Sequence, residues 1–153
     1  MRMENIHMAI PSPGQLYIST LAANIQGLHE RGLALVTALQ RRGFSIYMPF
    51  TTREAAVTER EIDRSAGLIA LVDRYWSSST WKASEVTYAL DGCGMAHVVP
   101  DHPPIPTFIY WLGEPFDLTC IAHHARVIYL PREVQEAAEV VVAAIAEGRG
   151  GGR

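Results

Sequence analysis

Glu85 is the residue of this chain best placed to do chemistry. It stands four residues after Trp81 and three before Tyr88, downstream of a loop crowded with Tyr75, Trp76, Ser77, Ser78, Ser79 and Thr80. On a helix, positions 81, 85 and 88 share one stripe. A carboxylate fixed there can stabilise or attack an electron-poor carbon. Around it, the rings of Tyr75, Trp76 and Trp81 can stack on a flat ligand, and Ser77 to Ser79 can hydrogen-bond ribose or phosphate oxygens. Arg74 can pair with a phosphate. Each residue also has a plainer use: Trp81 as packing beneath the loop, which is the commoner fate of a tryptophan, the serines as helix caps, and Glu85 as a solvated surface carboxylate.

The elements that must hold these groups follow from the apolar pattern. Leu68 to Val72 is a short apolar run without polar alternation, bounded by Gly67 and Asp73, and it predicts a strand buried on both faces. The helix after it is capped by Ser79 or Thr80 and turns Val86, Ala89, Leu90 and Cys93 inward. Further strands are expected at 15–19, 44–48, 107–111 and 126–130. Helical spacing joins Leu28, Leu35, Val36 and Leu39, with Gly43 as the stop. Thr58 and Glu61 predict a capping box for a short helix ending near Ser65, a short helical segment is expected over Asp117 to His123, and Pro131 opens a last helix.

Strands alternating with helices predict a flavodoxin-like three-layer α/β sandwich, a five-stranded parallel sheet in order 2-1-3-4-5 with helices on both faces. Its switch point lies between strands one and three, so the loop after Ser19 meets the loop after Asp73 over one crevice, where such folds bind ligands. The candidate binding set is therefore Ser19, Thr20, Asn24, Phe50, Asp73, Arg74, Tyr75, Trp76, Ser79, Trp81 and Tyr88, with Glu85 as the catalytic candidate.

With 153 residues, the chain predicts one domain over 14–147, a leader over 1–13 broken by Pro11 and Pro13, and a disordered tail over 148–153. A net charge of -3 without a basic run argues against nucleic acid. The two cysteines, Cys93 and Cys120, make neither a disulfide framework nor a metal site. His97, His102, His123 and His124 lack acidic or thiol partners at ligand spacing and are expected at the surface. No apolar run is long enough to span a membrane and no signal h-region is visible, so a cytoplasmic address is expected.

The segments SAGLIALV and YWSSSTWKASEVTYAL resemble the central signature of Toll/interleukin-1 receptor (TIR) domains, and Tyr17, Ile18 and Ser19 resemble their first strand. Where the family often carries an acidic residue after that strand, this chain has Thr20, Leu21 and Ala22. The resemblance implies an enzyme that cleaves NAD at the nicotinamide–ribose bond through Glu85, releasing or cyclising ADP-ribose, with NAD as substrate and no cofactor. It also implies a homo-oligomer, with the loop from Phe50 to Ala56 closing over a neighbour's substrate, and a role in bacterial immune signalling. A second resemblance, to nucleoside 2-deoxyribosyltransferases and related N-glycosidases, rests on Asp73, Glu85, Tyr88 and Ala89; it implies a nucleoside or nucleotide substrate with Asp73 as the proton donor. The third reading is a TIR-type self-association module without catalysis.

Overall fold

The structure, a computed structural model, describes residues 13–20, 30–49, 54–74, 76, 79–91, 104–118, 121 and 126–151. Among these residues the chain runs β1 (Gln15–Ser19), α1 (Glu30–Arg41), β2 (Ser45–Tyr47), α2 (Ala55–Asp63), β3 (Ser65–Val72), α3 (Thr80–Asp91), β4 (Thr107–Trp111), β5 (Ile128–Tyr129) and α4 (Val134–Gly151). All strand pairs are parallel, and the order is β2-β1-β3-β4-β5, as the alternation predicts.

Alternate residues of the central strands feed two separate cores. Leu16 and Ile18 of β1, Ile69 and Leu71 of β3, and Phe108 and Tyr110 of β4 pack under α1 and α4. Tyr17, Leu68, Ala70, Val72, Ile109 and Trp111 point the other way, toward α2 and α3. The period of two in a strand makes this division, and the apolar runs are unbroken because both sets are buried. Each fully buried large aliphatic side chain contributes about 1.5–3 kcal/mol, so the three inner strands, buried on both faces, hold a large share of the cohesive energy.

Four expectations change. The helix expected to start at Thr58 begins one turn earlier, after Glu54, and Thr58 lies inside it with its N–H bonded to the Glu54 carbonyl. A residue already helical and buried cannot cap, and Glu61 instead ties the end of α2 to β1: Gln15 Nε2 donates to its side chain at 3.3 Å, while Ser65 Oγ donates to its carbonyl at 2.7 Å. Asp117 and Leu118 are not helical; Leu118 is buried in the core beneath α3. Strand β3 starts at Ser65 rather than Leu68, since β1 pairs with it from Gln15 onward. Helix α4 continues to Gly151, because adding one hydrogen bond per residue carries an established helix beyond its last apolar contact. The leader up to Ser12 and the four histidines singled out in the sequence lie outside the described residues, as do both cysteines.

Helix α4 is capped from in front. The Glu133 carboxylate accepts the N–H groups of Gln135 at 3.0 Å and Glu136 at 2.9 Å, and these two bonds hold its carboxyl below the ordinary carboxylate range. A depressed folded pKa makes the cap's contribution complete above the unfolded value and loses it as pH falls through the folded one. Glu133→Gln should therefore lower the melting temperature at neutral pH, by a difference that shrinks on acidification. Thermal scans between about pH 7 and 3 check this; a difference independent of pH would remove the charge from the explanation.

Candidate functional site

The carboxyl ends of β1 and β3 stand side by side, and a buried polar network lies beneath them. Ser19 ends β1 and shares a face with Tyr17, while Glu85 reaches in from the second turn of α3. Tyr17 donates its phenol proton to Glu85 Oε2 at 2.7 Å, and Ser19 Oγ donates to Glu85 Oε1 at 2.8 Å. Lys82 Nζ lies 3.4 Å from the same carboxylate. Trp76 adds its indole N–H to Ser19 Oγ at 3.2 Å. Tyr17, Ser19, Trp76 and Glu85 are all fully buried, and Lys82 nearly so.

Local structure explains how each member arrives. After β3, Asp73 Oδ1 accepts the backbone N–H of Trp76 at 2.9 Å, a side-chain turn that folds Trp76 back under the sheet edge. The Trp76 carbonyl then accepts the N–H of Ser79, and Ser79 Oγ accepts the N–H of Lys82 at 3.2 Å, which makes Ser79 the cap of α3. Lys82 and Glu85, three apart on that helix, meet on one face. A buried carboxylate without partners costs several kcal/mol, and here two hydroxyls and an ammonium satisfy it. Burial, and after it the Glu85 carboxylate, push the Tyr17 phenol far above its ordinary range; the Thr58 hydroxyl, beside it but short of a formed hydrogen bond, pulls the other way.

Of the residues singled out in the sequence, Ser19, Trp76 and Glu85 come together, with Asp73 and Ser79 as the two turns that set them. Thr20 follows β1 directly and is fully buried, its hydroxyl without a hydrogen-bond partner among the described residues. Trp81, on the first turn of α3, is half-buried and its indole N–H likewise has no partner there. Arg74 is exposed. Tyr88 does not join the site: its hydroxyl donates to Asp63 Oδ1 at 2.7 Å, at the end of α2 that leads into β3, and therefore near the opposite edge of the sheet. Burial and then that bond push its phenol well up. Asn24, Phe50 and Tyr75 lie outside the described residues.

Two members were not singled out. Tyr17 could have been found from strand alternation, which puts it on the face of Ser19, and Lys82 from its spacing of three before Glu85. Trp111 also ends its strand at this edge, with Phe116 edge-on at 4.9 Å between centroids and Tyr129 nearly parallel at 6.1 Å. Tyr129 is 49% exposed and offers a free aromatic surface. Among the described residues no three His, Cys, Asp or Glu side chains gather as a metal site would require, and no helix is long and apolar enough to cross a membrane.

No family model matches the chain, and no curated protein does. Its structure is similar to the crystal structure of a diflavin flavoprotein A3 from Nostoc sp., with a TM-score of 0.58 and 11% identity over 94% of this chain and 100% of that one. At that identity the likeness establishes the flavodoxin-like α/β fold. It also corrects the expected function: the solved counterpart is a flavoprotein, so the reading of an N-glycosidic enzyme acting on NAD or a nucleoside, and with it the expectation of no cofactor, is withdrawn. The geometry agrees with the withdrawal, because the Glu85 carboxylate is already taken up by three side-chain partners.

Proposed function

We propose that this chain binds a flavin at the carboxyl edge of its sheet and acts in electron transfer. The observation that carries the reading is the Thr20 hydroxyl, fully buried at the end of β1 and without a partner among the described residues. Buried hydroxyls are rarely left unpaired, and one at the switch point of a parallel sheet lies where a ligand oxygen belongs. The donor set suits the group: a flavin brings carbonyl, hydroxyl and phosphate oxygens on a flat ring, and the edge supplies the Thr20 hydroxyl, the unpartnered Trp81 N–H and the exposed Tyr129 ring. When bound, a flavin supplies one- and two-electron chemistry. The name of the Nostoc flavoprotein supports the same class of ligand. In this reading Glu85 is not a reacting group; paired with Lys82 and held by Tyr17 and Ser19, it braces β1 against α3 under the ligand.

Titrating the purified protein with FMN, riboflavin and FAD, and following flavin fluorescence, tests the proposal. Saturable quenching is expected, and Thr20→Val should weaken it about tenfold or more through loss of one hydrogen bond to the ligand. Without ligand the same variant should be as stable as the parent or more so, since it removes an unpaired buried hydroxyl. Absence of quenching by all three flavins would overturn the proposal.

A further inference from the structure

The outward side of α1 has a pattern that the flavin reading does not use. Leu35, Val36 and Leu39 face the core, which leaves Glu30, Ala34, Thr37 and Arg41 in line on the opposite side, at i, i+4, i+7 and i+11. Leu33 stands beside this line and is 52% exposed, the most exposed large apolar side chain among the described residues. Next to it, Ala34, Thr37, Ala38 and Val134 border a shallow groove of about 440 Å³ between α1 and α4. The line ends in opposite charges: Glu30 in the first turn and Arg41 in the last. Both are exposed, and neither has an ion-pair partner among the described residues.

Glu30 and Arg41 are about 16 Å apart along the helix axis, too far to pair within one copy. Two α1 helices laid antiparallel about a two-fold axis at their midpoint bring the separated charges together. In that register Glu30 meets the partner's Arg41, Ala34 meets the partner's Thr37, and Leu33 lies on the same flank of the seam as the partner's Thr37 and the partner's Leu33. Both charge pairs form at once, because a two-fold interface uses the same patch twice. Parallel pairing would set Glu30 against the partner's Glu30, so charge fixes the direction. The small side chains at 34 and 37 let the two backbones approach, so that the two Leu33 side chains meet along one flank of the seam.

We propose that the outer face of α1 is a self-complementary docking surface through which two copies of this chain associate by antiparallel α1 helices. The contact is one helix face wide and falls below the size of a standard interface, so the association is weak, with a dissociation constant in the micromolar range or above. It does not rest on flavin binding, and the two can fail separately.

Light scattering or sedimentation of the full chain over about 5 to 500 μM measures the assembly. The apparent mass is expected to rise from the 16.9 kDa monomer toward twice that value. Leu33→Glu should abolish the rise. Glu30→Arg and Arg41→Glu should each weaken association about tenfold or more by facing like charges, whereas the double variant Glu30→Arg with Arg41→Glu should restore it. The exchange opposes the helix dipole, so thermal unfolding is recorded for each variant and association is compared between folded samples. A mass that stays monomeric throughout, a dimer indifferent to Leu33→Glu, or a folded double variant that stays monomeric would overturn the proposal.

Discussion

Glu85→Ala should cost the protein about 3–5 kcal/mol of stability, enough to erase most of the margin of a marginally stable domain. The loss is large because the substitution strands several groups at once. Lys82 is left without its carboxylate in a nearly closed position, and the Tyr17 and Ser19 hydroxyls lose the acceptor they share. Tyr17→Phe removes one of those bonds and should cost only about 1–3 kcal/mol. Pairing Glu85→Leu with Lys82→Met removes both charges together, and should recover much of what the single change at Glu85 loses. Urea unfolding of the three variants measures all of this. A cost below about 1 kcal/mol for Glu85→Ala would mean that the carboxylate is solvated and that the network holds nothing together.

Trp76→Ala should be nearly as severe, at about 3–5 kcal/mol, for a different reason. Trp76 is the largest of the fully buried side chains among the described residues, and it lies in a turn rather than in an element, within the core that holds Val72, Val86 and Ala89. Removing it empties a volume that the strands above cannot collapse to fill. Trp76→Phe keeps most of the volume and loses the indole N–H bond to Ser19, so its cost should be a fraction of the alanine cost. Because the turn set by Asp73 leads directly into α3, Trp76→Ala should also loosen the cap at Ser79. Equilibrium unfolding with amide exchange at the first turn of α3 would show both effects; unchanged exchange there would confine the role of Trp76 to filling space.

What the sequence made legible was the frame. Leu68 to Val72 and Thr107 to Trp111 are unbroken apolar runs, and a two-sided sheet with order 2-1-3-4-5 follows from them and from the helices between them. Glu85 was legible as an unusual residue and not as a buried one. Its stripe on α3 holds Trp81 and Tyr88, side chains that suit a half-exposed face, and only the packing of α3 against both β1 and α2 closes that face over. Local spacing cannot report such a contact, since Tyr17 and Glu85 are 68 residues apart. The same limit hid the true place of Tyr88, whose partner Asp63 lies on another helix. Thr58 misled in the opposite way, because a capping pattern is a local signal and the burial of that threonine against Tyr17 is not. The function read from the motif failed because no run of residue types reports which partners a side chain finds in the fold.

The pairing of β1 with β3 has a consequence for how the chain is made. Gln15 and Ser65 are 50 residues apart, yet they are neighbours in the sheet and are joined by a 3.0 Å side-chain bond. During synthesis β1, α1 and β2 can assemble first, but one edge of β1 stays open until the central strand emerges, with Leu16 and Ile18 covered on a single side. Closing that long loop costs entropy before any central contact repays it, so the rate-limiting step should be the arrival of β3 rather than the formation of any helix. A ribosome-bound chain stalled before Ser65 would then be a sticky half-sheet in need of a chaperone, and one stalled after Trp111 would still lack α4 over Ile69, Phe108 and Tyr110.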